Sequence, residues 1–426
     1  MKEDFLEHIK SRGYLHQCTD EIGLKKILKN PTSGYIGFDC TSDSLHIGSL
    51  LPLMLLKVFQ KFGHKPIVLI GGGTTLIGDP SGKDETRKIL TEDEITKNKK
   101  KLKKIFEKFV SFDKSLKNHA VIVDNLDWLQ SLKFIPFVRD IGSKFSVNRM
   151  LGLESTKQRL TREQNLSFLE FNYSIIQAYD FLELNKKNDC QIQFGGSDQW
   201  GNIISGIELI KKERKKEVFG LTTHLITNSD GTKMGKTAKG AIWLSDEKLS
   251  ANDFWQFWRN TLDEDVIKFL KLFTEVPNEK INKFNSYDGS EINELKILLA
   301  NEITGYCHGN QKAKKAQMEA EKILTTKNID SELIENCEKK IIINENNLES
   351  GFYLKQVLVD LKLSESNSES KRLVKQGAIK INEIIINEKE FKITRDHFII
   401  HPKKNNLSYL IIYVGKKKYG LVELVT

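Results

Sequence analysis

Short continuous apolar runs alternate with longer periodic ones along the first half of the chain. Gly34 to Phe38 is strand-like, passes through small polar residues into His46-Ile47-Gly48, and leads to an apolar helical run from Leu50 to Phe62. Ile67 to Ile70 is a continuous apolar run that suits a parallel strand covered on both faces, and the intervening helix, ended by Gly63, has the length of a βαβ crossover. Ala120 to Val123 and Cys190 to Phe194 read as further strands, Trp200 to Lys212 as a helix, and residues 128–150 only as helical. Thr91 with Glu94 forms a capping box for a lysine-rich helix reaching Val110. Polar or glycine-rich loops follow three of these strands, at 39–49, 71–83 and 195–199, where ligands collect in open parallel sheets. The economical account is an α/β nucleotide fold.

The second half changes character. From Asn252 to about Asn328 helical patterns dominate, and the cluster Phe254-Trp255-Gln256-Phe257-Trp258 is expected in a core. An acidic, irregular stretch from Asn328 to Glu349 reads as a linker. Tyr353–Leu361 and Glu369–Gln376 then read as helices, Ile379–Ile386 as a strand with a turn at Asn382-Glu383, and residues 407–425 as further strands.

A length of 426 residues implies two or three domains, and 39% hydrophobic with 29% charged residues is ordinary for a globular protein. No apolar run approaches the roughly 20 residues needed to span a bilayer, and Met1–Lys10 is unlike a signal peptide. The five cysteines form no C-x-x-C pair, so neither a disulfide framework nor a zinc site is indicated, and a reducing cytoplasm is expected. The net charge is +9, and residues 351–426 alone hold fourteen Lys and Arg against eight Asp and Glu. A basic terminal segment points to a polyanion, with nucleic acid the first candidate.

The candidate chemistry lies in the loops. A strand feeding a helix N-terminus through residues 39–49 is an anion-binding geometry, Gly48 lets a ligand approach the backbone, and His46 can donate to a phosphate. Gly78 to Lys83 is one residue short of a P-loop, and Asp84 stands where Ser or Thr must hold magnesium, which excludes a generic P-loop NTPase. Tyr173, Gln177 and Asp180 align on one face of a largely apolar helix. Such a stripe either forms an internal hydrogen-bond network or lines a polar pocket. Residues 228–240 form a polar loop anchored only by Met234, and its Lys233 and Lys236 suit a phosphate clamp that closes during reaction.

His46-Ile47-Gly48-Ser49 followed by Lys233-Met234-Gly235-Lys236-Thr237 resembles the HIGH and KMSKS pair of class I aminoacyl-tRNA synthetases. Tyr35-x-Gly-Phe-Asp39, Ile77 to Lys83, Tyr173-x-x-x-Gln177-x-x-Asp180 and Gly195 to Gly201 are similar to the bacterial tyrosyl-tRNA synthetases, and Ser370 to Asn382 resembles the S4 RNA-binding module of that family. The resemblance implies a Rossmann-like, doubly wound parallel-sheet catalytic domain over 1–225, a KMSKS-type loop with a helical domain over 226–328, a linker over 329–350, and a small α+β S4-like domain over 351–426. It also implies formation of tyrosyl-adenylate from L-tyrosine and ATP, transfer to tRNA(Tyr), a homodimer, ATP arriving with Mg2+, and no protein-bound metal.

Carried over by residue, Thr41 and His46 would bind the ATP polyphosphate, and Lys83, Arg87, Lys233, Lys236 and Thr237 would close over pyrophosphate. Asp79, Tyr173 and Gln177 would hold the tyrosine ammonium, Tyr35 and Asp180 its phenolic hydroxyl, and Gln199 would lie near its carboxyl group. Asp39, Gly48 and Ser49 fall at the ATP site, and Gly196 and Asp198 at the ribose. Lys371, Arg372, Lys375 and Lys380, with Lys416 to Lys418, would face tRNA. Phenylalanine would leave Tyr35 and Asp180 unpaired, so editing is unnecessary. Both motifs carry departures. Ser49 replaces the last histidine of HIGH, with a shorter reach toward the ribose, and Gly235 and Thr237 replace both serines of KMSKS, glycine being expected to free the loop. The tryptophan enzymes are disfavoured by Tyr35, Asp180 and the S4-like segment. A non-catalytic RNA-binding protein that kept the fold is disfavoured by intact His46, Lys233 and Lys236.

Overall fold

The strand Ser33–Asp39 (β2) is the centre of a six-stranded sheet with order β1-β6-β5-β2-β3-β4, where β1 is Leu15–Cys18, β3 Lys65–Gly71, β4 Val121–Asp124, β5 Cys190–Gly196 and β6 Phe219–Thr223. All neighbours are parallel except β1, which runs antiparallel to β6. The chain moves outward from β2 through β3 to β4, then returns to β5 on the other side. Strand order therefore reverses between β2 and β5, which opens a crevice at their carboxyl ends. The computed structural model describes residues 4–78, 90–163, 165–229, 231, 234–237, 240–284, 289–325, 337–344, 352–382, 384–388, 390–401, 404–415 and 418–425. The chain divides into two compact units, Met1–Ala313 and Lys314–Thr426.

In the first unit, β3 is buried along all but its first residue, as its apolar run requires. The crossover helix Leu50–Lys61 buries eight side chains and stops before Gly63, whose φ of +92° suits glycine. The capping box of Thr91 and Glu94 starts the helix Glu92–Phe106. Residues 128–150 break into short pieces, of which Phe134–Asp140 buries no side chain. A small hairpin of β7 (Lys236–Thr237) and β8 (Gly240–Ala241) follows the sheet, and then the helices Ala251–Arg259 and Asp263–Phe273. Phe254, Trp255 and Trp258 are buried, the core placement expected of that cluster.

The stretches 1–225 and 226–328, expected as separate domains, share one unit as far as Ala313, and Arg12 is part of the reason. Its guanidinium is 3% exposed and donates to the carbonyl oxygens of Leu270 (2.9 Å), Lys271 (2.6 Å), Thr274 and Val276 (2.7 Å). Tyr14 adds a bond from its hydroxyl to the Leu272 carbonyl at 2.6 Å. The negative end of the helix Asp263–Phe273 thus receives a cation, which compensates burial of that charge without a carboxylate.

The second unit holds a sheet of order β12-β11-β15-β16-β9, with β14 also pairing β15, and a separate β10-β13 pair. Here β9 is Lys340–Asn344, β10 Phe352–Tyr353, β11 Ile379–Ile381, β12 Ile384–Ile385, β13 Lys392–Ile393, β14 Ile399–His401, β15 Lys404–Val414 and β16 Lys418–Val425. The helices Leu354–Asp360 and Asn367–Lys375 belong to the same unit, and Leu354, Val357, Leu358 and Val374 join Leu410, Ile412 and Val422 in one core. The expected turn at 382 is present, with Asn382 at φ +43°. One expectation changes. Residues 340–344, read as linker, form β9 and pair in parallel with β16. The apolar run Ile341–Ile343 finds its partner only about 80 residues later, a pairing that local pattern does not reveal.

Replacing Arg12 with methionine keeps the apolar stem but strips the carbonyls of their donors. Urea unfolding should show a loss of more than about 2 kcal/mol; a loss within about 0.5 kcal/mol, the range of ordinary surface substitutions, would mean that these bonds do not hold the helix.

Candidate active site

A cavity of about 550 Å³ opens at the reversal of strand order, over the carboxyl ends of β2, β3, β5 and β6. Tyr35, Asp39, Thr41, His46, Gly48, Ser49, Tyr173, Gln177, Asp180, Gly196, Asp198 and Gln199 all line it. Asp79, Lys83, Arg87 and Lys233 lie outside the described residues, and of Lys236 and Thr237 only the backbone of β7 is described.

At the deep end, the stripe on the helix Tyr173–Asn188 is both a pocket wall and part of a network. Asp180 is 1% exposed, and its carboxylate accepts from Trp128 Nε1 (2.8 Å) and Asn125 Nδ2 (3.0 Å). Burial pushes the Asp180 carboxyl up to about 7, against the pull of those two donors. Tyr35, on β2, is also buried. Its phenol is pushed well above the ordinary value by burial and by the Asp180 charge, and its hydroxyl has no partner among the described residues. Gln177 Oε1 accepts from Asn202 Nδ2 at 3.1 Å, and the same nitrogen reaches Gln199 Oε1 at 3.1 Å. Gln193 Oε1 is buried in the cavity wall without a partner among the described residues.

Asn125, Trp128 and Gln193 escaped the sequence reading. The signal for the first two was available in part: Asn125 immediately follows the carboxyl end of β4, and Trp128 stands one helical turn later. That strand end belongs with the three loops singled out above.

At the outer end, His46 starts the turn Ile47–Ser49 that leads into the helix Leu50–Lys61, and Gly48 N–H donates to His46 Nδ1 at 2.9 Å. In the neutral ring this places the proton on Nε2. A Cβ on Gly48 would lie 2.6 Å from His46 Cε1, so the glycine accommodates the histidine ring as well as any ligand. Ser49 lines the cavity and makes no capping bond with its side chain.

The two signature segments are joined through their backbones. Ile47 N–H donates to the Ile242 carbonyl, Leu244 N–H donates to the Leu45 carbonyl, both at 2.8 Å, and His46 bridges Trp243. Gly235 has φ +99°, and a Cβ there would lie 2.3 Å from Ile47 Cγ2. Glycine at 235 is therefore fixed by a left-handed backbone pressed against Ile47, which corrects the expectation that it frees the loop. Met234 is buried and its N–H bonds to the Ile226 carbonyl at 3.1 Å, anchoring this side of the loop.

In the second unit, Lys371 pairs with Glu390 at 2.6 Å and Arg372 approaches Glu369 at 3.8 Å, while Arg372, Lys375, Lys380 and Lys418 are exposed. Lys416 and Lys417 lie outside the described residues. Among the described residues no group of three or more His, Cys, Asp or Glu is placed to hold a metal, and no helix is long and apolar enough to cross a membrane.

Residues 27–325 match the family described as tRNA synthetases class I (W and Y), and residues 335–422 match the tyrosine–tRNA ligase SYY-like C-terminal domain. The chain is 48% identical over 422 residues to the tyrosine–tRNA ligase of Pelagibacter ubique, covering 99% of both proteins. It is 46% identical over 421 residues to that of Rickettsia conorii, covering 99% of this chain and 100% of the relative. Among solved structures, a C-terminally truncated mitochondrial tyrosyl-tRNA synthetase of Aspergillus nidulans superposes with a TM-score of 0.66 at 28% identity, over 76% of this chain and 94% of that one. With the paired signature segments and the hydroxyl-lined cavity, these matches show that the chain belongs to the class I tRNA synthetases, and within them to the tyrosine–tRNA ligases.

Proposed function

We infer that this chain activates L-tyrosine with ATP and transfers it to the 3′ end of tRNA(Tyr). The observation that carries the choice of amino acid is the buried Tyr35 hydroxyl, unpartnered among the described residues, in the same cavity wall as the buried Asp180 carboxylate. A substrate phenol satisfies both, donating to Asp180 and accepting from Tyr35. An indole N–H can only donate and would leave Tyr35 unpaired, and a phenyl ring satisfies neither.

In the first step a tyrosine carboxylate oxygen attacks the α-phosphorus, the bond to the bridging oxygen breaks, and pyrophosphate leaves with that electron pair. In the second, a hydroxyl of the terminal adenosine attacks the acyl carbon and AMP leaves. The protein's contribution to the first step is positioning and charge stabilisation. His46 and Thr41 would meet the polyphosphate. Lys83, Arg87, Lys233, Lys236 and Thr237 would close on the leaving pyrophosphate, and Asp39, Ser49, Gly196 and Asp198 would hold the nucleoside side. Asp79, Tyr173 and Gln177 would take the ammonium group. Mg2+ would arrive with ATP as part of the substrate. The exposed Arg372, Lys375 and Lys380 would meet tRNA phosphates, whereas Lys371 would first have to exchange Glu390.

A homodimer is the fitting assembly, because large apolar side chains at 134–168 face solvent: Phe134, Ile135 (70% exposed), Val147 and Phe168 (75%). Sedimentation of the full chain should show a dimer, and Ile135→Asp should shift it toward monomer; a wild-type monomer at micromolar concentration would refute this.

ATP–pyrophosphate exchange tested across the twenty amino acids should respond to tyrosine. Exchange with tryptophan in its place would overturn the assignment, and none at all would favour a non-catalytic RNA-binding protein. Deleting residues 326–426 should spare exchange and cripple tRNA charging; undiminished charging would remove the second unit from the reading.

Asp180 must be ionised to accept from the substrate phenol. Its free-enzyme pKa of about 7 therefore predicts that kcat/KM for tyrosine falls as pH drops through about 7. With tyrosine already bound the phenol stabilises the carboxylate, so kcat/KM for ATP at saturating tyrosine should lack that limb. A flat tyrosine profile between pH 5.5 and 8, in steps of about half a unit, would contradict the assignment.

A further inference from the structure

One hydrogen-bonded chain of side chains, buried as far as Thr74 and half-buried at Asp39, runs from the phenol end of the cavity to its nucleotide end. Trp128 Nε1 donates to Asp180 Oδ1 at 2.8 Å. Asn125 Nδ2 donates to Asp180 Oδ2 at 3.0 Å and to Thr74 Oγ1 at 3.1 Å, and Thr74 Oγ1 donates to Asp39 Oδ1 at 3.0 Å. The direction of every bond is determined. Gly73 N–H donates to Asn125 Oδ1 at 2.7 Å, which fixes the amide orientation. A carboxamide nitrogen only donates, so Thr74 must accept from it and has its single proton left for Asp39.

The fold makes room for this chain. A Cβ on Gly71 would lie 2.4 Å from both Asp39 Oδ1 and Thr74 Oγ1, so only glycine permits their bond. Thr75, next in the same turn, accepts from Cys40 N–H at 2.8 Å. Two hydroxyls of one turn thus hold the side chain of residue 39 and the backbone of residue 40, where β2 opens into the 39–49 loop. Asn125, Thr74 and Asp180 are all buried, so water does not short-circuit the bonds between them.

We propose that Thr74 is a positioning residue through which a phenol bound at Asp180 fixes Asp39, so that tyrosine tightens the binding of ATP. This rests on the reading of the cavity as a tyrosine and ATP site. A donor arriving at Asp180 holds the carboxylate in the orientation that receives Asn125, and Asn125 in turn holds the Thr74 hydroxyl on Asp39. Without it, a buried carboxylate with one unmet acceptor position is free to turn or take up a proton, and the restraint on Asp39 relaxes.

The test is calorimetric binding of α,β-methylene ATP, whose α–β bridge cannot be cleaved, to the full-length protein, with and without saturating tyrosine. The ratio of the two dissociation constants is the coupling factor, and linkage requires the same factor for tyrosine with and without the analogue. Thr74→Val, which removes the hydroxyl at constant shape, should reduce the factor about fivefold or more, whereas Thr74→Ser should retain it. Should the valine variant fail to fold, Thr74→Ala removes the same hydroxyl without placing a methyl against Asp39. Loss with Val or Ala and retention with Ser supports the relay, because a merely structural defect lowers both affinities and leaves their ratio alone. A wild-type factor of one, an unchanged factor without the hydroxyl, or equal loss with serine overturns it. A wild-type protein that binds no tyrosine would instead refute the underlying functional reading.

Discussion

Asp180 is a carboxylate almost wholly removed from water, and much of the first unit is arranged around making that tolerable. An isolated buried charge costs several kcal/mol, so its oxygens must be met by donors. Trp128 and Asn125 supply two, and both come from just beyond β4, more than 50 residues before Asp180 in the chain. Satisfying one side chain therefore requires the end of β4 and the helix Tyr173–Asn188 to meet. Compensation is incomplete: burial still pushes the carboxyl up to about 7, and acceptor capacity remains on its oxygens.

The outer end of the cavity follows a different logic. It relies on backbone pairing to hold two distant segments together. The stretch Ile242–Leu244 pairs with Leu45–Ile47, and Gly235 presses against Ile47. The hairpin of β7 and β8 is thereby held against the histidine turn, while Met234 N–H bonds to the Ile226 carbonyl. Glycine at 235 is a steric requirement of that tether, although by sequence alone it reads as added freedom. Arg12 extends the tethering to the helix Asp263–Phe273, which follows the loop in the chain.

The layout of the first unit was largely legible in the sequence because each strand is a short continuous apolar run and each crossover helix a periodic one. These signals are local and strong, as at Ile67–Ile70 and Leu50–Phe62. The polar stripe of Tyr173, Gln177 and Asp180 was legible for the same reason: helical period alone aligns it. Residues 340–344 were misread as linker because a short edge strand depends on β16, far along the chain, for its bonds. Asn125 and Trp128 were missed because their position at the end of β4 was only a partial signal, and their partner Asp180 lies more than 50 residues along the chain.

The sequence by itself determined which residue types would be present and on which face or loop each would sit: a histidine and glycine at a helix start, lysines in a polar loop, a carboxylate on a buried helix face. Those are consequences of residue chemistry and of the periods of helix and strand. Only the tertiary structure decided what each group meets. It left the Tyr35 hydroxyl without a partner among the described residues, brought Asn125 between Asp180 and Thr74, and pressed Gly235 onto Ile47. The physical reason is that burial, and with it the cost of an unmet donor or acceptor, is a property of packing between segments more than 50 residues apart.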